Sequence, residues 1–284
     1  MDLSQLRSVG VAGLGLIGGS LVQALADRLP AVRRVGFDTD AAARHAAAGC
    51  LHDTAPSIDA LLDGCDLVLL CQPMPALLAL LPQLAQRPRL PVLSDVAGVK
   101  VPVLQAAAGL GAARGRFVGA HPIAGKAESG WAAAEPQLFD GRLVVLCPEA
   151  AEPGALRLVQ ALWQRLGART VTMDAPQHDT VYAALSHLPQ LLTWAYLDAL
   201  AGDARLADSA AFAGPGFASF TRLGRSNPAL WAGIALQNRE ALLQGLDRLD
   251  GSLAALRGAL ARRDGDALIG LFERARHCPV LAPA

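Results

Sequence analysis

An α/β fold with a helical second part is predicted by three features of the chain. Short apolar runs of strand type alternate with helical patterns through residue 173, a glycine-rich turn joins the first run to the first helix, and from 174 to 284 only helical periodicity remains. The strand runs are nearly continuous in apolar character, as in a mostly parallel sheet covered on both faces.

Ser8–Ala12 is the first run. It leads into Gly13-Leu14-Gly15-Leu16-Ile17-Gly18-Gly19-Ser20, after which Leu21, Leu25 and Leu29 recur on one helical face. In this strand–GxGxxG–helix setting the glycines permit a tight turn, close approach of a pyrophosphate and close helix–strand contact. Free N–H groups at the helix start then receive the phosphate charge. Gly13, Gly15, Leu16, Ile17 and Gly18 are therefore expected to bind a dinucleotide. The next run, Val32–Phe37, ends in Asp38, 20 residues past Gly18. A carboxylate there accepts from both ribose hydroxyls of NAD and repels the extra phosphate of NADP, so NAD is the expected cofactor. Residues 1–173 thus read as a Rossmann-type NAD-binding domain.

Asp66–Cys71, Leu90–Ser94, Arg116–Ala120 and Arg142–Cys147 are further strand runs. Helical patterns such as Ala76–Gln86 and Val101–Leu110 separate most of them, and Ala155–Leu166 with Arg169–Met173 forms a last helix–strand pair. Ligands of such sheets bind beyond the carboxyl ends of the strands. That rule selects Gln72-Pro73 for the cofactor, then Ser94-Asp95 and His121-Pro122. His121 has the near-neutral pKa that proton transfer needs, and by itself it reads equally as a satisfied structural histidine.

The second part, 174–284, is expected to be all-helical. A helix from His178 to about Leu200 carries Val181, Leu185, Leu188, Leu192 and Ala195 at helical spacing, and Pro189 interrupts it. The missing N–H of Pro189 predicts a local kink that turns His187 towards a cleft; a lone helical histidine is otherwise a surface or core residue. Residues 214–231 bring Arg222, by default a solvated cation, and Trp231, by default core, behind an Asn227-Pro228 boundary. Leu242, Leu246, Leu249, Leu253, Leu256 and Leu260 then recur in steps of four and three. This narrow seam suits packing within the chain or, as the sharper expectation, a homodimer interface.

Composition removes several classes. Acidic and basic residues balance at 25 each with no basic block, so nucleic acid and anionic membrane are not expected partners. No run reaches the roughly 18 apolar residues of a membrane span, and the N-terminal residues carry no secretory pattern. The five scattered cysteines form no CxxC pair. Reduced thiols in a cytoplasmic protein, with no metal site, are expected.

Gly13-x-Gly-Leu-Ile-Gly-Gly-Ser20, Asp95-Val-Ala-Gly-Val-Lys100 and His121-Pro-Ile-Ala-Gly125 occur in order, followed by Ser186-His187-Leu188-Pro189, Phe220-Thr221-Arg222 and Trp231 after Asn-Pro. This set resembles the prephenate/arogenate dehydrogenase family of tyrosine biosynthesis across nearly the whole chain. The resemblance implies NAD-dependent oxidative decarboxylation of prephenate to 4-hydroxyphenylpyruvate. It further implies His121 as catalytic base, His187 and Arg222 as substrate ligands, Trp231 as a pocket wall that a partner subunit could supply, and a dimer through the helical domain.

There are three departures from the family pattern. Gly98 stands where relatives carry a serine contacting the catalytic histidine, so water or Ser94 is expected to substitute in binding the substrate. Lys126-Ala127-Glu128 replaces a glutamate that often follows the HPIAG motif, and Ala218 replaces a lysine. Neutral Ser129, where an acid could pair an ammonium, favours prephenate over arogenate. An arogenate or dual-substrate enzyme, another two-domain NAD-dependent dehydrogenase and a non-catalytic NAD-sensing regulator are the alternatives.

Overall fold

The computed structural model describes residues 2–126, 128–206 and 209–280. The first part builds an eight-stranded sheet from β1 (Ser8–Ala12), β2 (Arg33–Phe37), β3 (Asp53–Thr54), β4 (Leu67–Leu70), β5 (Val92–Asp95), β6 (Phe117–Pro122), β7 (Leu143–Cys147) and β8 (Arg169–Thr172). Their order across the sheet is β3-β2-β1-β4-β5-β6-β7-β8. The helices α1 (Leu16–Arg28), α2 (Ala41–Ala47), α3 (Ile58–Gly64), α4 (Met74–Gln83), α5 (Val101–Ala108) and α6 (Pro153–Arg165) connect them. The strand order reverses between β1 and β4, the switch point at which open α/β sheets bind ligands.

Side chains alternate along each strand, and both faces are apolar because both are covered. Val9, Val11, Leu67 and Leu69 pack with Leu21 and Leu25 of α1 and with Leu158, Leu162 and Trp163 of α6. Val68 and Leu70 face the other way, against Leu61 of α3, Leu77 and Leu81 of α4 and Val103 of α5. Each leucine fully buried in these layers contributes about 1.5–3 kcal/mol.

Two features of the sheet differ from the sequence expectation. β7 runs antiparallel to β6, because the chain returns through the irregular segment 123–142 rather than through a crossover helix. β6 also extends past Ala120, so His121 pairs with Val145 and Pro122 with Val144. Proline is tolerated there because its missing donor faces β5, whose pairing ends at Ser94↔Val118, while the Ile123 N–H donates to the Leu143 carbonyl at 2.8 Å. Alternation puts the His121 side chain on the face covered by α5.

The second part contains α7 (Ala175–Tyr182), a π-helical turn at Ala183–His187, α8 (Leu188–Ala201), α9 (Pro215–Thr221), α10 (Pro228–Gln237), α11 (Arg239–Ala261) and α12 (Gly265–Arg276). The Asp174 carboxylate caps α7 by accepting from the Gln177 N–H at 2.7 Å. The single helix expected from His178 to Leu200 is divided by the π turn, two residues before Pro189. Along α11 the leucine seam is unevenly covered: Leu242 is buried, Leu246, Leu249 and Leu256 are half-buried, and Leu253 and Leu260 are exposed. Among the described residues no helix is long and apolar enough to cross a membrane.

Candidate active site

Lys100 and Asp95 fix the platform under His121. Both side chains are fully buried and form an ion pair, and Lys100 Nζ also donates to the Ala120 carbonyl at 2.7 Å. Asp95 accepts from the Ala120 N–H at 3.1 Å, so the residue preceding His121 is held through both of its backbone groups. The same loop engages the helical part. The N–H groups of Lys100 and Val101 donate to the two carboxylate oxygens of Asp179, at 2.7 and 2.8 Å. Asp179 of α7 thereby sits at the N-terminus of α5, which favours a negative charge.

From Asp179 a chain of hydrogen bonds leads to His121. Asp179 Oδ1 lies 2.7 Å from His178 Nδ1, and His178 Nε2 lies 2.8 Å from His121 Nδ1. A carboxylate only accepts, so His178 Nδ1 carries its proton and His178 Nε2 accepts from His121 Nδ1–H. That assignment leaves His121 Nε2 with a lone pair. Tyr182 stacks edgewise on His121 and tilts over His178, with ring centroids 4.8 and 4.6 Å away. Burial, and after it the neighbouring His178, Lys100 and His187, push the His121 pKa well below its ordinary value.

A Cβ built on Gly98 would stand 3.6 Å from His121 Nε2. Ser94 does not occupy that space. It is fully buried in β5 and donates its hydroxyl to the Val118 carbonyl at 2.8 Å, so the expectation that it substitutes at Gly98 and binds substrate finds no support in its placement.

His187, buried at the end of the π turn, accepts at Nδ1 from Asn238 Nδ2 at 3.0 Å; the same Asn238 amide donates to the Asp179 carbonyl at 2.9 Å. Its other nitrogen is therefore an N–H donor. Desolvation lowers the pKa of His187 to about 4, against an opposing pull from Asp179. Trp231 meets His187 edge-on at 5.9 Å within the same chain, so this contact needs no partner subunit. Arg222 lies in a single 3-10 turn, Arg222–Arg225, rather than on an α-helix. That turn is tied to α8 by Gln190 and Trp194, which donate to the Leu223 and Gly224 carbonyls. Arg222 is exposed and forms no ion pair among the described residues.

The glycine turn fits a dinucleotide. Gly13 has φ +95°, and a Cβ there would lie 2.7 Å from the Cys71 carbonyl carbon. A Cβ on Gly18 would overlap the Gly13 carbonyl oxygen, whereas one on Gly15 would meet nothing within 4 Å. Gly15 thus borders open space at the start of α1, where Leu16 and Ile17 are in the first turn and their N–H groups have no intrahelical acceptor. Asp38 accepts from the Leu14 N–H at 2.7 Å and the Asp40 N–H at 2.9 Å, which joins the turn to the end of β2. Past β4, Pro73 is exposed and the Gln72 side-chain oxygen is buried without a protein hydrogen-bond partner among the described residues.

The family description "prephenate dehydrogenase, nucleotide-binding domain" matches residues 21–172, and "prephenate dehydrogenase, dimerization domain" matches 174–274. The chain belongs to the prephenate dehydrogenase family. It is therefore an NAD-dependent oxidoreductase. A cyclohexadienyl dehydrogenase of Zymomonas mobilis is 30% identical over 283 residues, with 96% of this chain and 95% of that protein covered. A prephenate dehydrogenase of Bacillus subtilis is 29% identical, over 96% of this chain and 76% of its own length. The solved prephenate dehydrogenase of Aquifex aeolicus, in complex with hydroxyphenyl propionate and NAD+, is 27% identical with a TM-score of 0.87, over 96% of each chain.

Sequence reasoning missed His178, Asp179, Tyr182 and Asn238. His178-Asp179 is adjacent to the Asp174 cap and one turn into a helix, and that pairing of a histidine with a carboxylate was the available signal. Lys126 folds back to pair with Glu135 at 2.7 Å, and Ser129 and Glu128 are exposed; Ala127 lies outside the described residues.

Proposed function

We propose that this prephenate dehydrogenase family member oxidatively decarboxylates prephenate to 4-hydroxyphenylpyruvate, with His121 as base. The observation that carries the reading is the Asp179–His178–His121 chain, which leaves His121 Nε2 unprotonated, 3.6 Å from where a Cβ on Gly98 would stand. The substrate's carbinol hydroxyl gives its proton to that nitrogen as the carbinol carbon loses hydride. Bound NAD supplies the hydride acceptor. Electrons of the breaking C–CO2 bond then aromatise the ring and carbon dioxide leaves. His187 donates from its free N–H, and Arg222 pairs a substrate carboxylate with its fork of donors. Gly13, Gly15, Leu16, Ile17 and Gly18 hold the pyrophosphate, Asp38 the adenosine ribose, and Gln72-Pro73 the nucleotide's inner face.

We read 1–173 as the NAD-binding domain and 174–284 as the substrate and dimerisation domain, a division supported by the two family matches meeting between 172 and 174. The working unit is a homodimer in the cytoplasm. The exposed Leu253 and Leu260 of α11 and Ile269 and Phe272 of α12 support a covered helical face.

Incubating the purified chain with NAD and prephenate or arogenate, and following NADH absorbance, tests the reading. Turnover of prephenate alone supports it, and turnover of both supports a dual-substrate enzyme, as the name of the Zymomonas relative suggests. NAD binding without turnover of either compound would defeat it.

A further inference from the structure

A cavity of about 350 Å³ borders the glycine turn and includes Gly15, Asp38, Asp40 and Ala43 together with Gly130 and Trp131. The last two belong to the segment that leaves the catalytic strand β6. Gly130 adopts φ +82°, a conformation that favours glycine, and turns the chain into the 3-10 turn Trp131–Ala133. That turn is built against α1. A Cβ on Gly19 would lie 2.9 Å from Trp131 Cε3, so only a glycine there admits the indole at this depth. The Glu135 N–H donates to Ser20 Oγ of α1 at 3.0 Å, and Lys126 donates to the Ala133 carbonyl at 3.2 Å. The indole is therefore a fixed, half-buried wall. Ala42, Ala43 and Ala46 of α2 line the same cavity with Asp38, and a Cβ on Gly15 would meet nothing within 4 Å.

We infer that Trp131 is a cofactor-binding residue, forming the outer wall of the site for the adenosine end of NAD. An aromatic wall, an alanine face and carboxylates suited to ribose hydroxyls match the adenosine half of the dinucleotide better than the substrate. The segment after His121, which departs from the family pattern, thus acts on the cofactor. The inference rests on NAD as cofactor and is independent of the identity of the substrate.

The test is binding of NAD and of ADP-ribose, which lacks the nicotinamide, by calorimetry, with tryptophan fluorescence alongside. Trp131→Ala is expected to weaken both ligands by about tenfold or more, while Trp131→Phe keeps both within about threefold. The KM for prephenate at saturating NAD stays as in the native chain. ADP-ribose quenches native fluorescence, and the quench is lost in Trp131→Phe although binding is kept. Native-like ADP-ribose affinity in a folded Trp131→Ala protein would overturn the inference. If Trp131→Ala fails to fold, the phenylalanine variant decides alone: bound ADP-ribose with the quench lost supports the assignment, and a retained quench overturns it. Failure of the native chain to bind ADP-ribose would instead defeat the cofactor reading.

Discussion

His121 Nδ1 and His178 Nε2 lie 2.8 Å apart, joining a strand of the sheet to the first helix of the second part. The contact fixes which nitrogen of His121 keeps its lone pair, because Asp179 fixes the proton on His178. His178→Asn is expected to lower kcat by about 10²-fold or more, with NAD affinity unchanged. Steady-state kinetics with cofactor titration checks this, and a variant with native kcat would show that the tautomer does not depend on His178.

Activity should persist into mild acid. Burial and the adjacent His178, Lys100 and His187 depress the His121 pKa, so the imidazole stays unprotonated below the usual histidine range, as the proposed base requires. The acid limb of kcat/KM, which reports the free enzyme, is expected well below about pH 6.5, where an unperturbed histidine would place it. An acid limb well above that value would contradict the burial argument.

Stability has the same sign. His187 is held neutral in the fold down to about 4, against about 6.5 for an unperturbed histidine. Between those values the unfolded chain binds the proton and the folded chain resists it, so stability is full above the unfolded pKa and declines as pH falls. Melting temperatures measured across that window should drop with acid, and His187→Asn should flatten the decline. An equal slope in the variant would mean that other groups carry it.

Arg222→Ala is expected to raise the KM for prephenate about ten- to hundredfold, the loss of one charge-assisted pair, without changing NAD binding. An unchanged KM would remove Arg222 from the carboxylate site.

Lys100→Met should cost about 3–5 kcal/mol of stability, because it leaves the Asp95 carboxylate buried without its cation. Denaturant unfolding measures it. A loss under 1 kcal/mol, on the same scale as a surface pair, would imply that water reaches Asp95.

Legibility in the sequence followed the range of the interactions. The glycine turn with Asp38 is local chemistry, and its strand–turn–helix order is readable from neighbouring residues. Pro189 likewise signalled the irregular turn that delivers His187, though not that it would be π-helical. The His121–His178 pair joins residues 57 apart, and Asn238 reaches His187 across 51. No spacing rule encodes such pairs, because tertiary packing alone brings them together. The same limit misplaced Ser94, whose strand-end position was legible while its inward hydroxyl was not. The antiparallel β7 escaped notice because a loop and a crossover of equal length look alike until the chain folds.

The measurement that bears most directly on the central claim is turnover by His121→Asn, with NAD affinity measured on the same protein. The account predicts a loss of about 10³-fold or more in NADH formation from prephenate, with NAD binding within about twofold of native. Near-native turnover would contradict it and exclude His121 as the base.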